Sequence, residues 1–179
     1  MEFSRLIEIR RSVRAYETSD DVALKDIEEI VYAAQQAPSW KNSQTGRYYA
    51  VISKDMREDF RKNCLPGFNF ERTENALAYI VTAFEEGVSG FAPDGTPTDK
   101  NENGWGCYDL GLQNSLLLLK AKELGYDTLV MGLRREELIR VMLDIPQSQR
   151  IVSVIALGKG ALAPEKPERK KLGEILKTF

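Results

Sequence analysis

Histidine is absent from this chain, and cysteine is reduced to Cys64 and Cys107. Without imidazole no Ser-His or Cys-His nucleophile pair can exist, and two cysteines alone cannot close an ordinary structural zinc site. No metal is therefore expected. Two cysteines set no disulfide framework, and no charged start followed by an apolar stretch opens the sequence, so a reduced, cytoplasmic setting is the expectation. Long apolar runs are missing too. Leu116 to Leu119, the longest run of leucine, is far below the roughly 20 residues needed to span a bilayer. Charge of one sign is also lacking: 25 Lys and Arg against 27 Asp and Glu leave a net charge of -2. Neither nucleic acid nor a membrane surface is an expected partner, and any positive site has to be local. An enzyme of this composition draws its reactivity from a cofactor, unless carboxylates, lysine or tyrosine move the protons.

What is present suits one well-buried domain: 179 residues, 42% hydrophobic, with no linker dividing two halves. The chain is read as a single domain over 1–179. Phe3, Leu6, Ile7 and Ile9 mark a short opening helix. Ser19, Asp20 and Asp21 offer caps for a second, whose Leu24, Ile27, Ile30, Val31 and Ala34 keep helical spacing before Pro38. Strands are expected over 48–52, 77–84, 127–131 and 151–157, and helices over 54–63, 108–124 and 135–143. Gly125 is placed to stop the longest helix. The Gly-, Pro- and Asp-rich stretch 85–104 reads as a lid-like excursion or mobile loop, and the tail from Ala161 as extended before a last helical turn.

Four segments carry chemistry. Arg10-Arg11-Ser12-Val13-Arg14 gathers three guanidinium groups and a hydroxyl, suited to phosphate oxygens or simply to solvent. Ala37-Pro38-Ser39-Trp40-Lys41-Asn42-Ser43-Gln44 offers amide, hydroxyl and indole groups that line a flat ring or cap the preceding helix. Leu129-Val130-Met131-Gly132 ends a strand on glycine, where backbone can approach a ligand or merely turn. Lys166 to Lys171 is a basic tail, by itself no more than a solvated run.

Taken in this order and spacing, the four segments resemble the nitroreductase family of flavin-dependent oxidoreductases. The helix beginning Tyr108-Asp109-Leu110-Gly111-Leu112-Gln113-Asn114, the Leu-Gly-Tyr turn, Leu143-Asp144-Ile145-Pro146 and Val154 to Gly158 add to the likeness, which covers essentially the whole chain. The resemblance implies an α+β, three-layer fold with a central mixed, mostly antiparallel sheet flanked by helices. It also implies an intertwined homodimer with FMN at the subunit interface.

By the same resemblance, Arg10 and Ser12 hold the FMN phosphate, Arg11 meets the ribityl or phosphate region, and Arg14 meets the pyrimidine edge. A cation there favours the anionic reduced ring. Arg169 returns to the phosphate, with Lys170 as the weaker candidate. Met131 and Gly132 lie against the dimethylbenzene and N5 side. Pro38, Ser39, Trp40 and Asn42 contact the flavin held mainly by the partner, while Gln44 does so or anchors its own loop. Lys171 stands where many relatives carry proline, and the stretch 85–104 with Trp105 falls where acceptor-contacting insertions vary. The implied chemistry is ping-pong hydride transfer from NADH or NADPH through flavin N5 to a nitroaromatic, a quinone or a conjugated carbonyl. Other reactions on the same fold, reductive dehalogenation or flavin cleavage, and a non-catalytic FMN carrier remain open. No side chain is singled out as catalytic. Gly104-Trp105-Gly106 lacks the third glycine of a dinucleotide fingerprint and is read as lying in a loop, so the nicotinamide is expected as a transient guest.

Overall fold

The computed structural model describes residues 2–179. Its centre is a four-stranded sheet in the order β1-β2-β4-β3, from β1 (Gly46–Val51), β2 (Ala78–Glu85), β3 (Asp127–Met131) and β4 (Gln149–Gly158). Every pairing between these strands is antiparallel. The expected mixed character is confined to one parallel bridge, Ser12 with Thr128. Around the sheet stand α1 (Phe3–Ile9), α2 (Leu24–Gln35), α3 (Lys54–Cys64), α4 (Phe68–Arg72), α5 (Gly104–Glu123), α6 (Glu136–Met142) and α7 (Leu172–Ile175).

Alternate strand residues point to opposite faces, and here both faces are covered, which is why β2 and β4 read as nearly unbroken apolar runs. On one face Tyr79, Val81, Val154 and Ala156 pack with Phe60 and Cys64 of α3 and Ile139 of α6. On the other, Ala78, Ile80, Ile155 and Leu157 meet Ile27, Ile30 and Ala34 of α2 and Leu117 and Ala121 of α5. Helix, sheet and helix make three layers of an α+β fold.

Four local details differ from the sequence reading. Helix α2 starts at Leu24 without a side-chain cap, since Ala23 stands at the cap position, and Asp21, two residues before it, pairs with Arg57 at 2.7 Å. Leu24, at the open end of that helix, is exposed. Helix α5 begins at Gly104 rather than Tyr108, so Trp105 and Gly106 lie in its first turns and not in a loop. Helix α4 was not anticipated, since its five residues are too few to show a period. Gly125 does stop α5, at φ +82.

The two thiols are unequal. Cys107 is exposed, whereas Cys64 is fully buried and its thiol is pushed up to about 11, by burial first and then by Asp59. Only the thiolate is nucleophilic, so at about pH 8 Cys64 stays protonated and inert. A thiol reagent should therefore label Cys107 alone in the native protein and reach Cys64 only on unfolding, as mass spectrometry of the labelled peptides will show.

Candidate functional site

The arginine run is held along the free edge of the sheet. Leaving α1 in extended conformation, Arg10 leads to Ser12, which bridges Thr128, and the Val13 N–H donates to the Thr128 carbonyl at 3.0 Å. Val13 and Tyr16 are buried and fix the segment to the core, so Tyr16 is a packing residue as its apolar ring suggests. Burial also drives the Tyr16 phenol far above its usual range. Arg10, Arg11 and Ser12 stay half-buried and Arg14 exposed. The run thus lies beside β3, whose last residue is Met131. The Met131 side chain is buried in the core while Gly132 is exposed, so this corner offers backbone rather than a thioether.

The tail comes back to the same edge. Ala161 N–H donates to the Ala15 carbonyl at 3.0 Å, and Lys166 pairs with Glu8 of α1. This return carries Arg169 towards Arg10. Burial, then the charges of Arg11 and Arg169, pull the pKa of the Arg10 guanidinium down. Among the described residues no carboxylate is paired with either Arg10 or Arg169, and the latter makes only a 3.4 Å contact to the Pro167 carbonyl. Guanidinium groups without a paired carboxylate are free to take an anion. Arg11 is engaged differently. Its Nη1 donates to the Glu8 and Arg10 carbonyls at 2.7 and 2.8 Å, closing the C-terminal end of α1, while its Nε is buried without a partner. Arg14 donates to the Ser12 carbonyl at 3.2 Å, and Lys170 is exposed.

The loop after α2 forms a separate half. Pro38 and Asn42 are exposed, Ser39 and Trp40 half-buried, and residues Trp40–Asn42 make one 3₁₀ turn. Ser39 Oγ accepts the Gln44 N–H at 3.0 Å, so Gln44 does anchor its own loop. Trp40 donates its backbone N–H to Asp109 of α5 at 3.0 Å, its ring lies 4.7 Å from that of Trp105, and its indole Nε1 is buried without an acceptor. No hydrogen bond or ion pair among the described residues joins Pro38–Gln44 to the arginine run, to Met131 or to the tail. Within one chain the expected site residues therefore fall into two groups: 10–14 with 128–132 and 169, and 38–44 with α5.

Asp109 is the residue that sequence reasoning missed. The available signal was a lone carboxylate between apolar positions of a buried helix. Gln113 was likewise unassigned: buried, it accepts the Tyr48 hydroxyl at 3.0 Å, and a Cβ on Gly46 would stand 1.9 Å from its Oε1. No helix among the described residues is long and apolar enough to cross a membrane, and none of their His, Cys, Asp or Glu side chains form a group able to hold a metal ion.

Fold and half-sites together define an α+β protein with a basic sheet edge opposite an aromatic loop. The fold recurs in the crystal structure of a candidate nitroreductase in complex with FMN from Exiguobacterium sibiricum, at TM-score 0.81 and 21% identity, over 100% of this chain and 98% of that one. Residues 7–159 match the model of the nitroreductase family, and the chain belongs to that family of oxidoreductase enzymes. Among its relatives is a candidate NADH dehydrogenase/NAD(P)H nitroreductase of Archaeoglobus fulgidus, 30% identical over 88% of this chain and 84% of that protein. Another is an iodotyrosine deiodinase of Nematostella vectensis, 25% identical over 98% of this chain and 74% of that protein.

Proposed function

We propose that this chain is an FMN-dependent oxidoreductase that transfers hydride from NADH or NADPH to an electron-poor small molecule, a nitroaromatic or a quinone. It works as a homodimer of single FMN-binding domains spanning 1–179. The observation that carries the reading is that the returning tail brings the charge of Arg169 to bear on Arg10, while neither guanidinium is paired with a carboxylate among the described residues. A phosphate monoester is the anion that such a fork suits, and the relative from Exiguobacterium sibiricum holds FMN on the same fold.

FMN, when bound, would supply the hydride chemistry that no amino-acid side chain provides. The residues around it bind and orient. Arg10, Ser12 and Arg169 take the phosphate, with Lys170 as an outer charge. Arg11 chiefly stiffens the end of α1 from which Arg10 projects, leaving the ribityl chain as its remaining contact. Arg14 places a cation at the pyrimidine edge, and Met131 and Gly132 offer backbone beside N5. Pro38, Ser39, Trp40 and Asn42 reach the flavin of the partner subunit. This assignment accounts for the separation of the two groups within one chain. The deiodinase relative favours a second reading of the acceptor alone, a halogenated aromatic in place of a nitroaromatic.

Anaerobic rapid mixing tests the proposal. NADH or NADPH should bleach the visible flavin absorbance of the purified protein, and a nitroaromatic or quinone should restore it. A halogenated phenol that restores it faster moves the acceptor to the second reading. Sedimentation of the same yellow sample should give a dimer. A colourless protein that gains no FMN on reconstitution, or an FMN-loaded monomer, overturns the cofactor or the interface assignment respectively.

A further inference from the structure

Asp109 is 2% exposed, and among the described residues no lysine or arginine pairs with it. A carboxylate so placed is tolerated only where donors reach it. Two do, and both use Oδ2: the Trp40 backbone N–H at 3.0 Å and the Ser89 hydroxyl in a very short contact. Ser89 Oγ in turn lies 3.3 Å from Ser43 Oγ. One oxygen atom thus holds two segments that are far apart in sequence, the turn at Trp40 and the base of the excursion between β2 and α5.

Both segments need holding. Lys41, Asn42 and Gln44 have φ of 45, 57 and 50, so three non-glycine residues of the turn sit in the left-handed region that side chains disfavour. The excursion folds back on itself, Thr98 N–H donating to the Gly90 carbonyl at 2.9 Å. Trp105 is then clasped from two sides. Its Nε1 donates to both Asp99 oxygens at 3.1 and 3.0 Å, and its ring rests on Gly90, where a Cβ would stand 2.5 Å from Cδ1. The Trp40 and Trp105 rings meet across the junction that Asp109 closes.

We propose that Asp109 is a positioning residue that locks the Trp40 turn to the 86–103 excursion, so that the wall facing the cofactor and the wall facing the acceptor are set together. The words cofactor and acceptor rest on the proposed oxidoreductase; the lock itself does not. Substrates that need both walls feel it in KM, while the hydride step between bound partners does not depend on it.

The chain has two tryptophans, and they are this pair, so an exciton couplet between their indoles in circular dichroism reports on the junction. A Trp105→Phe variant, which abolishes the couplet, assigns it. Asp109→Ala should lose most of the couplet and raise the KM of the acceptor roughly tenfold, with kcat changed less than about threefold. Asp109→Asn, whose amide oxygen can accept the same two donors, should keep both near wild type. Should Asp109→Ala fail to fold, Ser89→Ala, which cuts the excursion arm alone, should weaken the couplet and raise KM in the same direction. An undiminished couplet in Asp109→Ala or Ser89→Ala, an Asp109→Asn protein as impaired as Asp109→Ala, or a lost couplet with unchanged KM each overturns the proposal. A colourless protein whose couplet still depends on Asp109 would sink the flavin reading and leave the lock standing.

Discussion

Arg169→Ala, and separately Arg10→Ala, should each weaken FMN binding by roughly 10- to 100-fold, the range set by about 1.5–3 kcal/mol for a hydrogen bond to a charged group. The two side chains come from opposite ends of the chain, and neither is neutralised by a carboxylate among the described residues. Removing one relieves repulsion in the empty site, so the free protein should lose no thermal stability and gain a little at low salt. That combination, weaker binding with unreduced stability of the empty form, separates a ligand-holding arginine from a structural one. Arg10→Lys should recover only part of the affinity, since an ammonium cannot fork across two phosphate oxygens. Titration of the FMN-free protein with the fluorescent cofactor measures all of these. A dissociation constant unchanged in Arg169→Ala would remove the tail from the site, and one unchanged in Arg10→Ala would remove the sheet edge.

The second strong effect is on stability. Gly106 lies in the first turns of α5 where the helix crosses β2, and a Cβ built there would stand 2.3 Å from Cδ2 and 2.4 Å from Cε2 of Phe84. Phe84 is fully buried, so its ring has little room to yield. Alanine should be destabilising, although better helix propensity offsets about 1 kcal/mol of the overpacking. Gly106→Val, which adds branches where one carbon already overlaps, should cost about 3 kcal/mol. In urea the midpoint should fall with little change in slope. Gly106→Ala combined with Phe84→Leu should be more stable than the sum of the single effects, because the smaller side chain vacates the contested volume. Strict additivity would show that helix and strand part without repacking.

Much of the fold was legible because it follows from spacing. Ile27, Ile30 and Ala34 keep a helical interval and are buried, and the apolar run of β2 is buried on both faces. Ends were less legible, since a cap depends on the exact boundary: Ala23 occupies the cap position of α2, and Asp21, two residues before it, pairs with Arg57. Trp105 looked like a loop residue because Gly, Asp and Asn surround it, yet it belongs to α5. Glycine at 106 serves the helix by letting it approach β2, a reason that no local pattern displays.

The site divides in the same way. Composition alone excluded a histidine-based mechanism and required any positive site to be local, and the order of the four segments pointed to the nitroreductase family. The tertiary structure decided which arginines are available. Arg11 turns to the carbonyls that end α1, while Arg10 keeps no carboxylate partner among the described residues and feels the charge of Arg169 from 159 positions away in sequence. It also decided what Asp109 does, since a carboxylate acquires its partners only when chain segments tens of residues apart are packed around it. Periodicity is a local property of the chain, whereas the pairing of charges and donors depends on contacts that the packed layers alone create.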